Sequence, residues 1–159
     1  MTGLIPAGEY IALTKRRLSE EDCRRCGYSV SKLGGQAVQV AAIRDPLTGE
    51  VIAQKVRFAN KDFRYLGETK DDPFFLQHLW KDGGKRVVIV EGEIDAVTLM
   101  KIQQHKWPVV SITKGVKGAK RQIMQQLQWL LKFDEVVLMF DNDEAHTRPD
   151  GTVWYPGQD

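Results

Sequence analysis

Apolar and polar positions change their period near residue 80. Ahead of that point Ser19-Glu20-Glu21-Asp22 carries a capping pattern that predicts a short helix as far as Cys26, with Gly27 as its stop. Runs 28–33, 36–44 and 51–58 read as β-strands, separated by Gly34-Gly35 and by Asp45-Pro46-Leu47-Thr48-Gly49, the turn chemistry of an antiparallel meander. The polar stretch 66–73, LGETKDDP, predicts a boundary between two lobes. Beyond it the pattern becomes strand 86–90, helix 94–105, strand 109–112, helix 118–132 and strand 136–140. Continuous apolar strands alternating with helices predict a parallel βαβαβ unit with right-handed crossovers. Ile123, Met124, Leu127, Leu130 and Leu131 are expected to form the buried face of its second helix. The predicted class is α/β: an antiparallel α+β lobe over 1–80, a parallel lobe over 81–145 and an irregular tail over 146–159. In that tail Pro149-Asp150-Gly151 and Pro156-Gly157 exclude an ordinary helix.

Composition narrows the class. With 159 residues, 42% of them hydrophobic, the chain can bury a core, which excludes a disordered or collagen-like protein. The first twenty residues hold no signal-peptide core, and no window approaches the roughly 18 apolar residues of a membrane helix, so a soluble cytoplasmic protein is expected. Cys23 and Cys26 form a lone C-x-x-C with no second pair, and His78, His105 and His146 are scattered, so no zinc site is expected.

Net charge is only +2, with 23 Lys and Arg against 21 Asp and Glu, yet the charges are segregated. Between Asp95 and Asp134 there is no acidic residue, while Lys101, Lys106, Lys114, Lys117, Lys120, Arg121 and Lys132 all fall there. From Asp134 onward the balance inverts, with only Arg148 opposing Asp134, Glu135, Asp141, Asp143, Glu144, Asp150 and Asp159.

Some of those acids fall at the carboxyl ends of predicted parallel strands, where open α/β sheets bind their ligands. Glu91 follows the first strand, and Asp141 and Asp143 follow the third. If the second and third strands flank the first on opposite sides, the three carboxylates meet across a crevice, and a hard divalent cation is the usual partner of such an oxygen-only cluster. Glu93 and Asp95 read more plainly as favourable charges in a helix's first turn. His146 near the cluster is not expected to ligate a hard cation. Lys55, Arg57, Lys61 and Arg64 alternate with Phe58, Phe63 and Tyr65, a mixture suited to phosphates and stacked bases. Lys114, Lys117, Lys120 and Arg121 surround a glycine-bearing loop at a helix start, a setting for a template or nucleotide phosphate.

The runs VVIVEGEIDAVTL and VVLMFDNDEA resemble the Toprim catalytic fold. Together with SEEDCRRCGY, QVAAIRDPLTGEVIAQKVR, NKDF, HLW and PVVSITKG they resemble the RNA polymerase (primase) domain of the primase-helicases of short-tailed phages, over roughly residues 10–145. The resemblance implies DNA-directed synthesis of RNA primers on a single-stranded DNA template from ribonucleoside triphosphates. It implies catalytic and metal-binding roles for Glu91, Asp141 and Asp143 with Mg²⁺ or Mn²⁺, and nucleotide-binding roles for Lys55, Lys61 and Arg64, the last standing where the family has lysine. Arg57, Lys114, Lys117, Lys120 and Arg121 are the expected DNA contacts. The likeness breaks off after Ala145, so the parallel lobe is expected to stop short, with a helicase and a zinc-binding domain supplied elsewhere. A Toprim nuclease and a noncatalytic single-strand-binding module are the rival readings.

Overall fold

A computed structural model describes residues 3–141 and 146–154. Helix α1 (Glu20–Cys26) opens on a complete capping box: the Asp22 backbone N–H donates to the Ser19 hydroxyl, and the Ser19 N–H donates to the Asp22 carboxylate. It stops at Gly27, whose φ of 64° is the left-handed conformation that glycine adopts without strain. Strands β1 (Tyr28–Leu33), β2 (Gln36–Arg44), β3 (Val51–Arg57) and β4 (Phe63–Gly67) form an antiparallel sheet in sequence order. The meander is as expected, with one strand more than the hydrophobic pattern predicted: β4 pairs with β3 along Lys55↔Tyr65 and Arg57↔Phe63.

The second sheet is parallel. Strands β5 (Gly84–Val90), β6 (Val109–Ser111) and β7 (Phe133–Met139) lie in the order β6-β5-β7, joined by α2 (Glu93–Ile102) and by α3 (Val116–Gln125) with the short α4 (Leu127–Leu130). A single helix over 118–132 is therefore corrected to two, parted at Gln126. Strand β5 alternates its faces: Val90 packs with Ile94, Val97, Met100 and, from the first sheet, Tyr28, Ala41, Ile43 and Ala53, while Val87 and Ile89 pack with Val110, Ile112, Trp129, Leu130 and Phe133. One core thus spans both sheets. Cys23 and Cys26 are free thiols buried within it. In the tail, β8 (His146–Thr147) and β9 (Val153–Trp154) pair as a small antiparallel ribbon.

The expected buried face of α3 and α4 holds for Leu130 and, in part, Ile123, and is corrected for the rest. Met124 and Leu131 are 60% and 67% exposed and Leu127 is exposed as well, whereas Gln122 and Gln126 are buried. The reason lies in the segment that joins the sheets. Gln122 Nε2 donates to the Asp72 and Pro73 carbonyls at 2.9 and 3.1 Å and to the Thr113 hydroxyl, while the Thr113 N–H donates to Gln122 Oε1 at 2.9 Å. Gln126 donates to the Asp71 carbonyl and accepts from Gln77, whose Oε1 in turn accepts the Phe74 N–H. Burying irregular backbone requires such partners, and that demand outranks the apolar stripe. Phe75 then pairs with Ser111 through two backbone hydrogen bonds, closing the β6 edge.

Replacing Gln122 with Leu keeps the volume and orphans four backbone and hydroxyl groups, so urea unfolding of Gln122→Leu is expected to show a loss of about 3 kcal/mol. Acid should also weaken the fold, in two stages. His78 is half-buried, and burial together with the Arg44 and Lys81 charges lowers its pKa to about 4. Its unfolded imidazole takes a proton near pH 6.5, so unfolding binds the extra proton and stability falls between about pH 6.5 and 4. Burial alone would raise Asp22, but the Ser19 N–H, His105 at 3.0 Å, the Ser19 hydroxyl and Lys101 together hold it well below the usual carboxylate range. Its contribution is complete above the unfolded value of about 4 and is lost at lower pH. In a pH series of urea midpoints, His78→Gln should abolish the first limb and leave the second.

Candidate functional site

Glu91 leaves the end of β5, and Asp141 follows β7 beyond Phe140. Because β7 lies directly beside β5, the two carboxylates share one cleft of about 630 Å³. Asp143 lies outside the described residues. Gly92, between Glu91 and the helix, admits the Asp95 side chain: a Cβ there would collide with the Asp95 carboxylate. Desolvation, and then the Asp141 charge, push the Asp95 pKa upward. Glu91, Asp95 and Asp141 offer the oxygen donors that a hard divalent cation takes, although among the described residues no three such groups stand close enough together to hold one.

The opposite wall comes from the antiparallel sheet. Lys55 and Arg57 on β3 stand across from Tyr65 and Phe63 on β4, so the four share a face. Lys55 Nζ lies 4.9 Å and the Arg57 guanidinium 5.5 Å from the Phe63 ring centroid. Arg64, on the alternate pleat, lies 5.2 Å over Phe58 and also lines the cleft. These stacked pairs are cation–π contacts, and they hold the cations at defined positions. From the β6–α3 loop Lys114 completes the wall, 3.3 Å from the Tyr65 ring centroid and 3.4 Å from Asp72 Oδ1.

The structure therefore brings together Lys55, Arg57, Arg64, Glu91, Lys114 and Asp141. Other expected contacts stand apart. Lys61 lines a neighbouring groove with Lys15, Arg16, Arg57 and Phe58, and Arg121 lines a third hollow with Thr69, Asp72 and Lys114. Lys117 and Lys120 are exposed on α3 and line none of these hollows.

Sequence reasoning missed Glu93. It does stand in the first turn of α2, as expected, but its side chain is also only 7% exposed and Oε1 lies 2.8 Å from Lys55 Nζ, itself 13% exposed. Burial pushes the Glu93 pKa up while the Lys55 ammonium pulls it back. Arg16 was also missed, and it lines both the cleft and the groove beside it. The available signal for Glu93 was its second position in Glu91-Gly92-Glu93. Gly92 stands between the end of β5 and the start of α2, so the second glutamate falls on the helix and not on the strand.

Comparison with known proteins agrees with this architecture. The family described as bacteriophage T7 DNA helicase/primase, N-terminal a+b fold, matches residues 8–67, and the Toprim-like family matches residues 88–148. A DNA helicase/primase of Enterobacteria phage T3 is 43% identical over 138 residues, which are 87% of this chain and 24% of that protein. The crystal structure of the primase fragment of the bacteriophage T7 primase-helicase superposes with a TM-score of 0.83 at 40% identity, covering 90% of this chain and 61% of the fragment. A second structure has the same TM-score and identity, covering 91% of this chain and 74% of its own. It shows the T7 lagging-strand DNA polymerase interacting with the primase domains of two gp4 subunits bound to an RNA/DNA hybrid and dTTP. Among the described residues no helix is long and apolar enough to cross a membrane.

Removing one partner of the buried pair should be costly. Lys55→Met is expected to lose about 3 kcal/mol in urea unfolding, and adding Glu93→Gln should recover most of it, because the isolated charge and not the lost contact is the larger cost.

Proposed function

The chain belongs to the family of phage helicase/primase primase domains, and on that footing we propose that it is a DNA-templated primase, joining ribonucleotides into short RNA primers on single-stranded DNA. One observation carries the reading: cations of β3 and β4 face strand-end carboxylates across a single cleft. A nucleoside triphosphate needs both, positive charge for its phosphates and oxygen ligands for the divalent cation that accompanies it. The antiparallel lobe, 1–80, supplies the first and the parallel lobe, 81–145, the second.

In this reading Lys55 and Arg64 neutralise the triphosphate within the cleft, and Lys61 reaches it from the adjoining groove. Arg57 and Lys114 hold nucleic-acid phosphates at the cleft wall. Glu91 and Asp141, joined by Asp143, hold Mg²⁺ or Mn²⁺. The bound metal supplies Lewis-acid stabilisation of the charge that develops as a 3′-hydroxyl attacks the α-phosphate and pyrophosphate leaves. Phe63 and Tyr65 offer flat surfaces on which a base can stack. Outside the cleft, Lys117, Lys120 and Arg121 on α3 meet the template backbone, so template binding weakens steeply with added salt. A helicase and a zinc-binding domain, the partners expected of the whole protein, act with it in the cytoplasm of a bacterial host.

The test is to incubate the 159-residue chain with single-stranded DNA, labelled ribonucleoside triphosphates and Mg²⁺ or Mn²⁺. Templated oligoribonucleotides are expected, with a loss of at least about a hundredfold in Asp141→Ala. Degradation of labelled DNA without synthesis would assign a nuclease instead. Template binding unaffected by Asp141→Ala, with no product under any metal, would leave a binding module.

A further inference from the structure

Four of the cations that line the cleft are held by partners that the structure shows. Arg57 and Arg64 lie over aromatic rings, and Lys114 has both a ring and the Asp72 carboxylate, with its side chain 34% exposed. Lys55 differs from these. Its ammonium lies 2.8 Å from Glu93, and this is the most enclosed ion pair among the described residues formed by a lysine or arginine. The partners come from different sheets: Lys55 from the antiparallel β3, Glu93 from the first turn of α2, two residues past Glu91.

A buried ion pair is a weak stabiliser, since desolvating two charges offsets most of their attraction and an apolar pair would serve a core as well. What it does supply is direction. Lysine carries its charge on a stem of four methylenes with many rotamers, and nothing in β3 alone would hold Nζ at one point of the cleft. Glu93 does so at 2.8 Å, and the Phe63 ring does so at 4.9 Å. Of the three ammonium N–H donors only one can point at Glu93 Oε1, which leaves donors for an anion in the cleft.

The geometry points to Glu93 as a positioning residue. It fixes the Lys55 ammonium relative to Glu91 and Asp141, so that the phosphate-binding wall and the carboxylate edge keep one spacing, and it does this without touching the nucleotide. Glu91 and Glu93 stand on either side of Gly92 and both line the cleft, Glu93 being the one whose carboxylate is paired with the lysine. The inference rests on the nucleotide-binding reading of the cleft and deepens it.

A double-mutant cycle read in nucleotide affinity tests it. The dissociation constant of a fluorescent ATP with Mg²⁺ is measured for the wild-type chain, Glu93→Gln, Lys55→Met and the pair, with urea unfolding of each variant alongside. Glu93→Gln is expected to weaken binding about tenfold in the wild-type background and by less than about twofold once Lys55 is Met, the coupling expected of residues that act as one unit. Where a single variant does not fold, Glu93→Asp and Lys55→Arg carry the same cycle, since each keeps the charge and moves it. Unchanged affinity in Glu93→Gln, with only stability altered, would overturn the inference, as would an equal loss in both backgrounds, which would mean that Glu93 acts on the nucleotide or its metal directly. A wild-type chain that binds no nucleotide would overturn the reading of the cleft itself, and the inference with it.

Discussion

Backbone groups of the segment that joins the two sheets have no ladder to enter, and burial denies them water. Three glutamine side chains, Gln77, Gln122 and Gln126, take the place of both. Through Gln122 the clamp reaches the Thr113 backbone, and thus the loop that carries Lys114. Through Phe75 it reaches the edge of β6. Two sheets of different kind are held against a common core by this polar spine, and the cleft between them inherits its width. A neutral amide suits the task because it donates and accepts at once and carries no charge that would have to be desolvated.

Electrostatics inside the cleft follows the same economy. Opposite charges line one cleft without all pairing to one another. Rings of Phe58, Phe63 and Tyr65 do much of this, because a π face attracts a cation without neutralising it. Asp72 and Glu93 neutralise one lysine each, at the margin and in the interior respectively.

Much of this was legible in the residues. Strands β1 and β2 fall where alternation and turn chemistry put them, and the strand–helix alternation of the second half yields the parallel sheet with Glu91 and Asp141 side by side. What escaped has a common cause: it depends on partners distant in sequence. Strand β4, FRYLG, is too short to show its alternation on its own and becomes a strand by pairing with β3. Gln122 and Gln126 look like solvent positions until the linker's carbonyls lie against them, and Met124, Leu127 and Leu131 look like core until those glutamines have taken the inward side. Glu93 reads as a helix-start charge until Lys55 arrives from another sheet.

The two edges of the parallel sheet are unlike. At β6 the linker residue Phe75 occupies the outer hydrogen-bonding row, whereas β7 is the last strand on its side among the described residues and carries exposed Val136, Leu138 and Met139. A fold built this way can lengthen in only one direction. The architecture thus seals one edge of the parallel sheet with its own linker and leaves the other, among the described residues, with its outer backbone groups open to pairing.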